Sequence, residues 1–413
     1  MDIMKIAKYA NDDSNDIDKK IRYKNFEWAT HLNYLILNAI GIWPMTHKRV
    51  YDKVLSDLRA ILTFIIITFI GVIPAIHSLL RTWGDMMLMI DNLQYTLPLI
   101  TTVMKLVVIW WKKPDLVLVI NMIAEDWIKA KTDKELYIMI KQAQNTRIVT
   151  MIGYVFMVMG ITLLVILPCF GKSVRYTTNI TDPNKLLPLQ TYYLYDKDQS
   201  PFFELTFAAQ TVVIFMSGAT YGGIDTLLGL LIFHLCGQME NLREKFITMS
   251  KFKTFHSGLV FIVRDHIRLI KYFDTIESIF TVLLLGLLIY FSTLFCLYGF
   301  LIIAILTERS QMSTMRFMYL VSVMINFCGY MCLFCAAGER LVTQCEAMYY
   351  AAYEYEWYKL EPKKAKVLVL LMIRTSKPLY ITAGKIFPMT MSTFCNIIKT
   401  SAGYVSVLLA MQS

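Results

Sequence analysis

Long apolar runs alternate with polar connections along the whole of this chain, and their length sets the fold class. A bilayer core about 30 Å thick is crossed by roughly 20 residues of α-helix. Seven runs reach that length, at residues 58–80, 93–111, 148–170, 203–236, 279–306, 315–337 and 387–411. The pattern predicts an all-α membrane protein with seven transmembrane helices.

Three segments do not fit a simple series of crossings. The run at 203–236 is too long for one untilted crossing, so we expect it to tilt or to project beyond the bilayer. Residues 32–43 are apolar but too short to span, which predicts that they lie at the membrane interface or pack on other helices. Residues 367–381 are interrupted by Arg374 and Lys377, which predicts an amphipathic helix before the last crossing.

The predicted organisation has four parts. Residues 1–57 form an N-terminal segment, residues 58–337 carry six membrane helices, residues 338–386 form a connecting region, and residues 387–413 contain the seventh helix.

The composition excludes a soluble protein. Hydrophobic residues make up 56% of the 413 residues and charged residues only 17%, against roughly a quarter charged in ordinary globular domains. The net charge of +10 does not indicate a nucleic-acid partner, because the basic residues lie between apolar runs rather than on one aromatic-rich face. No enzymatic activity, metal or cofactor is expected.

The basic residues mark one side of the membrane. Most of the 41 Lys and Arg residues lie before the first run or in the connections after the second, fourth and sixth runs. Cytoplasmic segments are enriched in Lys and Arg, so the N-terminus is predicted to be cytoplasmic and the C-terminus extracellular. Asn179-Ile180-Thr181, a sequon for N-glycosylation, then lies outside, and Asn179 is the predicted acceptor.

Charges inside the runs are the next candidates for function. Lys105 lies toward the predicted cytoplasmic end of its run, and we expect its side chain to snorkel to the interface. Lys399 lies near the middle of the last run and has no evident partner in the sequence.

Motifs near the C-terminus carry a family resemblance. Residues 351–358 read AAYEYEWY, residues 374–378 RTSKP, residues 382–388 TAGKIFP and residues 400–404 TSAGY. Residues 37–44 add LNAIGIWP near the start. Together they resemble the insect odorant receptor family, while the middle of the chain matches in length, span count and topology.

The resemblance implies an odorant-gated, non-selective cation channel of four subunits around a central pore. The short connection between the fourth and fifth helices resembles a ligand-tuning receptor rather than the co-receptor, so a heterotetramer with the co-receptor is expected. By the same resemblance, the protein lies in the plasma membrane of olfactory sensory neurons, and residues 338–386 form an anchor where subunits meet.

The last helix is expected to line the pore. At about 100° per residue, one stripe of this helix combines polar and small residues with apolar residues at its outer end. The stripe consists of Asn396, Thr400, Gly403, Val407 and Met411. The resemblance places the gate at its last two residues, Val407 and Met411. Lys399 lies at the edge of this stripe, where the family usually has a neutral residue. We therefore expect four identical copies to conduct weakly.

The resemblance also places a mostly apolar odorant pocket in the outer half of the second, third, fourth and sixth helices. Residues at that depth are Tyr95, Leu99, Phe156, Gly160, Phe207, Thr211, Tyr319 and Val323. A G-protein-coupled receptor is the alternative from another class, and the inverted topology argues against it. A transporter is a further alternative, but the chain shows no internal repeats.

Overall fold

The computed structural model describes residues 3–44, 50–129, 131–172, 179, 181–182, 184–249, 254–307 and 314–412. The helices are α1 (Ile3–Ala39), α2 (Val50–Ile65), α3 (Ile73–Arg81), α4 (Met86–Trp111), α5 (Lys113–Ile128), α6 (Asp133–Cys169), α7 (Phe202–Ile247), α8 (Phe255–Thr307), α9 (Thr314–Glu354), α10 (Pro362–Thr375) and α11 (Met391–Gln412). A π-helical segment, Ile66–Val72, joins α2 to α3, and a 3-10 turn, Trp357–Lys359, precedes α10.

Six helical stretches are long and apolar enough to cross a membrane: Val50–Arg81, Met86–Trp111, Asp133–Cys169, Phe202–Ile247, Phe255–Ile302 and Phe317–Lys359. The 22 residues of α11 form a further apolar helix at the position of the seventh predicted crossing. The prediction of an all-α, seven-helix membrane fold is confirmed. We call the end of the bundle where α6 ends and α7 begins the upper end, and the opposite end the lower end.

Four helices extend further than the apolar runs indicate. α6 starts at Asp133, well before residue 148, because Thr132 and Glu135 form a reciprocal capping box at its start. The lower parts of α6, α7, α8 and α9 continue beyond the apolar runs: α7 ends only at Ile247, and α8 already begins at Phe255. Below the crossings, the bundle is therefore built from the same continuous helices.

A proline causes the π-helical segment in the first crossing. Pro74 has no backbone N–H, so it cannot donate to the carbonyl of Ile70 one turn earlier. The hydroxyl of Tyr193 donates to that Ile70 carbonyl instead, at 3.0 Å. Widening the turn accommodates the missing bond and lets a side chain from another segment bind the helix backbone.

Residues 32–43 pack on other helices rather than standing apart. Leu37, Ile42 and Trp43 are buried in the main core. Gly41 ends this segment with φ +77, and a Cβ there would lie 2.1 Å from the carbonyl oxygen of Ser56. The hydroxyl of Ser56 donates to the Gly41 carbonyl at 2.8 Å. The LNAIGIWP motif is thus a glycine-terminated helix end clamped against α2.

The region before α11 differs from the sequence prediction. Residues 387–388 were expected to begin the last crossing, but they form β2 (Phe387–Pro388), which pairs with β1 (Thr382–Ala383). Gly384 and Lys385 both have positive φ, at +64 and +60, in the three-residue connection between Ala383 and Phe387. Their backbone N–H groups donate to Thr281 on α8. The turn thereby fixes the start of α11 against α8.

An ion-pair cluster joins three helices at the lower end. The Asp126 carboxylate on α5 lies 2.6 Å from Arg268 Nη1 on α8 and 3.2 Å from His234 Nε2 on α7, and its side chain is 3% exposed. Burial by itself raises the pKa of Asp126, but the hydrogen bond with His234 and the charges of His234, Arg268 and Lys129 lower this pKa to about 2. The carboxylate therefore stays ionised, and it links α5, α7 and α8.

Candidate functional site

A cavity of about 280 Å³ lies in the upper half of the bundle, between α4, α6, α7, α8 and α9. Its walls are mostly aromatic and aliphatic, with contributions from five helices. Six of the eight residues predicted for the odorant pocket line it: Tyr95, Leu99, Phe156, Gly160, Tyr319 and Val323. The sequence prediction therefore identified residues that the fold brings to one cavity.

Phe207 and Thr211 do not line this cavity, although they were predicted with the others. They lie on α7 above the cavity-lining stretch, which begins at Ile214. Phe207 packs near Phe203, with ring centroids 6.5 Å apart, and the Thr211 hydroxyl donates to the Phe207 carbonyl. The cavity lies about one turn deeper along α7 than their position in the apolar run suggested.

Glycines create the space for the cavity. Gly160 faces open space, because a Cβ there would meet nothing within 4 Å. Gly218 on α7 instead allows close packing against α6, since a Cβ there would lie 3.0 Å from Ile161 and 3.3 Å from Met157 of α6. The GxxxG spacing of Gly218 and Gly222 thus allows α6 and α7 to approach closely beside the cavity.

Two polar groups in the wall were missed by the sequence reading. Gln94 Nε2 and Ser217 Oγ are buried, and neither has a hydrogen-bond partner among the described residues. Both residues line the cavity. Buried polar atoms normally find partners, so these two atoms are candidates for contact with a polar group of a ligand. The signal in the sequence was a polar residue within an otherwise apolar run.

The connection between α6 and α7 covers the upper end of the cavity. Leu189, which lines the cavity, donates its backbone N–H to Gln210 Oε1 at 2.9 Å. The Tyr95 hydroxyl accepts from Asn92 Nδ2 at 2.8 Å and donates to the Gln190 carbonyl. The wall of the cavity is therefore tied to the segment that closes it.

The predicted snorkelling of Lys105 is wrong. Its ammonium lies 2.6 Å from Asp225 Oδ1 on α7, and the two side chains are only 2% and 9% exposed. The ammonium also lies 3.3 Å from the centroid of the Tyr221 ring, which lines the cavity. A partner inside the protein removes the need to reach water, so Lys105 stays buried next to the cavity.

The face of α11 predicted to line the pore is exposed in the single chain. Asn396, Thr400, Gly403 and Val407 are exposed, whereas Phe394 and neighbouring apolar residues pack into the core. Asn396 and Thr400 also border a groove of about 530 Å³ between α8 and α11. Met411 belongs to α11, but its side chain is outside the described part of the structure.

Glycosylation of Asn179 stays a prediction, and the local geometry counts against it. Asn179 is 1% exposed. Its amide nitrogen donates to the Lys185 carbonyl at 3.1 Å and to Asp198 Oδ1 at 2.7 Å. A glycan is attached at this nitrogen, which here is enclosed and already bonded.

Among the described residues, no group of three or more His, Cys, Asp or Glu side chains could hold a metal ion.

Comparisons with known proteins agree with the fold and with the C-terminal motifs. The family model "7tm Odorant receptor" matches residues 85–402. Odorant receptor 85b of Drosophila melanogaster is 22% identical over 405 residues, which cover 96% of this chain and 99% of that protein. Odorant receptor 10 of Aedes albopictus is 24% identical over 220 residues, 52% of this chain and 57% of that protein.

A solved structure shares the fold. The insect olfactory receptor OR5 from Machilis hrabei, in complex with eugenol, superimposes with a TM-score of 0.81 at 16% identity, covering 94% of this chain and 99% of that one. These proteins are receptors rather than enzymes, which confirms the expectation that this chain is not an enzyme. The family resemblance of the C-terminal motifs is also confirmed: the chain belongs to the 7tm odorant receptor family.

Proposed function

We propose that this chain is the ligand-binding subunit of an odorant-gated, non-selective cation channel, with the upper end of the bundle outside the cell. The observation that carries the proposal is the convergence of six predicted pocket residues on one mostly apolar cavity. Its volume of about 280 Å³ is close to the lower end of ligand pockets, roughly 300–1,000 Å³. The ligand is therefore a small, largely apolar volatile molecule.

Such a ligand binds mainly by burying apolar surface, at about 25 cal/mol per Å². In the wall of the upper cavity, Gln94 and Ser217 each supply a polar atom that has no partner among the described residues. These atoms favour ligands with one hydroxyl or carbonyl group. Eugenol, the ligand in the Machilis hrabei complex, combines an aromatic ring with such groups. It is a suitable first probe for this chain.

The exposed stripe of α11 supports its role as the pore wall. A membrane helix exposes apolar side chains to lipid, because polar groups there lack hydrogen-bond partners. Asn396 is exposed on α11, and its side-chain amide is better suited to an aqueous pore lined by several copies. Val407 then forms an apolar constriction above the polar stripe.

Ligand binding is coupled to the pore through shared helices. α8 and α9 line the upper cavity and also contact α11. A ligand that binds the open arrangement more tightly shifts the closed–open equilibrium by no more than its difference in affinity. No second messenger is needed, which distinguishes this proposal from a G-protein-coupled receptor.

We also propose that the chain assembles with the co-receptor subunit in the plasma membrane of olfactory sensory neurons. Lys399 is exposed beside the polar stripe of α11, and four copies would place four positive charges near a cation pore. Neutral residues from another subunit reduce that repulsion.

The test records odorant-evoked currents from excised patches, with and without the co-receptor, in solutions free of intracellular nucleotides. The proposal expects eugenol or another small volatile odorant to evoke cation current with the co-receptor present. Strict dependence of that current on GTP contradicts it.

A further inference from the structure

A second cavity, of about 640 Å³, lies below the upper one along α6, α7 and α9. On α7 the upper cavity is bordered by residues 214–222 and the lower cavity by residues 225–233. On α9 the corresponding stretches are 319–330 and 330–344. The two cavities therefore follow one another along consecutive helical turns, end to end.

Tyr330 separates them. Among the described residues that border either cavity, Tyr330 is the one that borders both. Its hydroxyl donates to the Gly153 carbonyl on α6 at 2.9 Å, and its ring centroid lies 6.3 Å from that of Phe156. The side chain thus reaches from α9 across to α6, and one hydrogen bond holds it there.

The top of the lower cavity carries an incompletely bonded carboxylate. Asp225 borders this cavity, and its Oδ1 pairs with Lys105. Its Oδ2 is buried and has no hydrogen-bond partner among the described residues. Because Lys105 already compensates the negative charge, the group that fits Oδ2 is a neutral donor such as a hydroxyl. A second cation there would be repelled by Lys105.

Below Asp225 the middle of the lower cavity is apolar, formed by residues such as Leu228, Ile232, Leu333 and Phe334, and its lower end carries the polar residues Glu339, Arg340, Thr343 and Gln344. Gly229 adds free space, because a Cβ there would meet nothing within 4 Å. The compartment therefore offers an acceptor next to Tyr330, an apolar middle section below it and a polar lower end.

We propose that the lower cavity is a second ligand compartment that continues the odorant pocket, and that Tyr330 is the specificity-determining partition between the two. Short ligands bind above Tyr330. Elongated aliphatic alcohols bind by displacing the Tyr330 side chain. Their hydroxyl then lies at Asp225 Oδ2, and their alkyl chain lies along the apolar part of the lower cavity. This inference rests on the upper cavity being the odorant site.

The test measures dose–response curves for straight-chain alcohols from butanol to dodecanol, using the full chain expressed with the co-receptor. Gly229→Leu places a side chain in the lower cavity, where it displaces part of the alkyl chain, and is expected to lower the sensitivity to decanol by at least about tenfold, since each methylene excluded from an apolar site costs roughly fourfold in affinity. The sensitivity to butanol is expected to stay within about threefold.

Tyr330→Ala removes the partition and is expected to raise the sensitivity to decanol relative to the sensitivity to butanol. Tyr319→Ala is the matched control, because Tyr319 lines only the upper cavity among the residues described there, and it is expected to alter sensitivity without moving the preferred chain length. Adding Gly229→Leu to Tyr330→Ala is expected to cancel the gain. Surface labelling shows whether each variant reaches the membrane.

Recognition of the hydroxyl is tested with the methyl ether of each alcohol, which cannot donate a hydrogen bond. Long alcohols are expected to act at lower concentration than their ethers, and short alcohols to show a smaller difference. The inference is overturned if Gly229→Leu leaves the chain-length profile unchanged, or if other odorants open the channel and no alcohol does. In both cases the proposed function stands, whereas the absence of any odorant-evoked current sinks the proposed function itself.

Discussion

The upper and lower parts of α7 differ sharply in packing, although they belong to one continuous helix. From residue 222 to residue 242 nearly every side chain is buried against neighbouring helices, whereas between residues 202 and 221 the buried positions are few and spaced. The upper part borders the cavity of about 280 Å³. The lower part contributes His234 to the ion-pair cluster around Asp126.

This difference separates a scaffold from a responsive region. The free energy that a small ligand contributes is modest, so it can rearrange only a part of the protein that is loosely packed. The lower half of α7, where nearly every residue is buried although a cavity of about 640 Å³ borders one side, keeps the helices in register and carries any movement toward α11. Charge pairs hold the lower half and the boundary between the halves, and substitutions at Lys105 and Asp126 test this division.

The largest effect is expected at the boundary. Lys105→Met leaves the Asp225 carboxylate buried without its counter-ion, which costs about 3–5 kcal/mol of unfolding free energy. The double variant Lys105→Met with Asp225→Leu is expected to recover most of that loss, because no buried charge remains. The measurement is the thermal midpoint of the detergent-solubilised protein.

Lys112→Met is the control, since Lys112 pairs with Asp115 on an exposed surface, where an ion pair contributes about 1 kcal/mol or less. If Lys105→Met is no more harmful than Lys112→Met, the buried pair does not hold the boundary.

A smaller effect, with a defined pH dependence, is expected at Asp126. Its pKa is lowered from 3.8 to about 2 in the folded protein, so ionisation contributes about 2 kcal/mol of stability. That contribution is fully present above pH 4 and is lost as the pH falls from about 4 to about 2. Asp126→Asn is expected to flatten the pH dependence of the thermal midpoint in this range.

Asp115→Asn on the same helix serves as the exposed control. The account is contradicted if Asp126→Asn leaves the pH dependence of the thermal midpoint between pH 4 and pH 2 unchanged while Asp115→Asn changes it. The cluster would then not be the source of the acid sensitivity.

The smallest effect concerns α11, outside both halves of α7. Replacing Lys399 with Asn removes a positive charge beside the polar stripe, and one unit charge at about 4 Å in water corresponds to about 1 kcal/mol. Current from the chain expressed without the co-receptor is therefore expected to rise about fivefold. Replacing Lys363, which is exposed on α10, with Asn is expected to leave this current unchanged. A large current from the unsubstituted chain alone would contradict the role given to Lys399.

The sequence predicted the parts of this fold that depend on apolar periodicity. The crossings follow from run lengths, and the depth of Tyr95, Phe156 and Tyr319 within their runs placed them at one level. Phe207 and Thr211 were misplaced because α7 extends above the cavity, and the position of the cavity along α7 depends on Gly218, which sets the distance to α6.

Features that depend on contacts between distant segments were not predicted. Lys105 and Asp225 are 120 positions apart, and only the folded bundle shows that they pair. An acidic residue inside one apolar run and a basic residue inside another were nevertheless a usable signal. The hairpin at Gly384 and Lys385 has two-residue strands, too short for any alternating pattern to indicate them.

The central claim is that the upper cavity binds the odorant that opens the channel. Gly160→Leu and Gly229→Leu test it as a matched pair, because a Cβ at either glycine meets nothing within 4 Å and each side chain then enters a different cavity. The measurement is the dose–response of odorant-evoked current to eugenol in nucleotide-free patches with the co-receptor. We expect Gly160→Leu to lower the sensitivity by at least about tenfold and Gly229→Leu to leave it unchanged, whereas equal effects of the two substitutions, or none from Gly160→Leu, contradict the account.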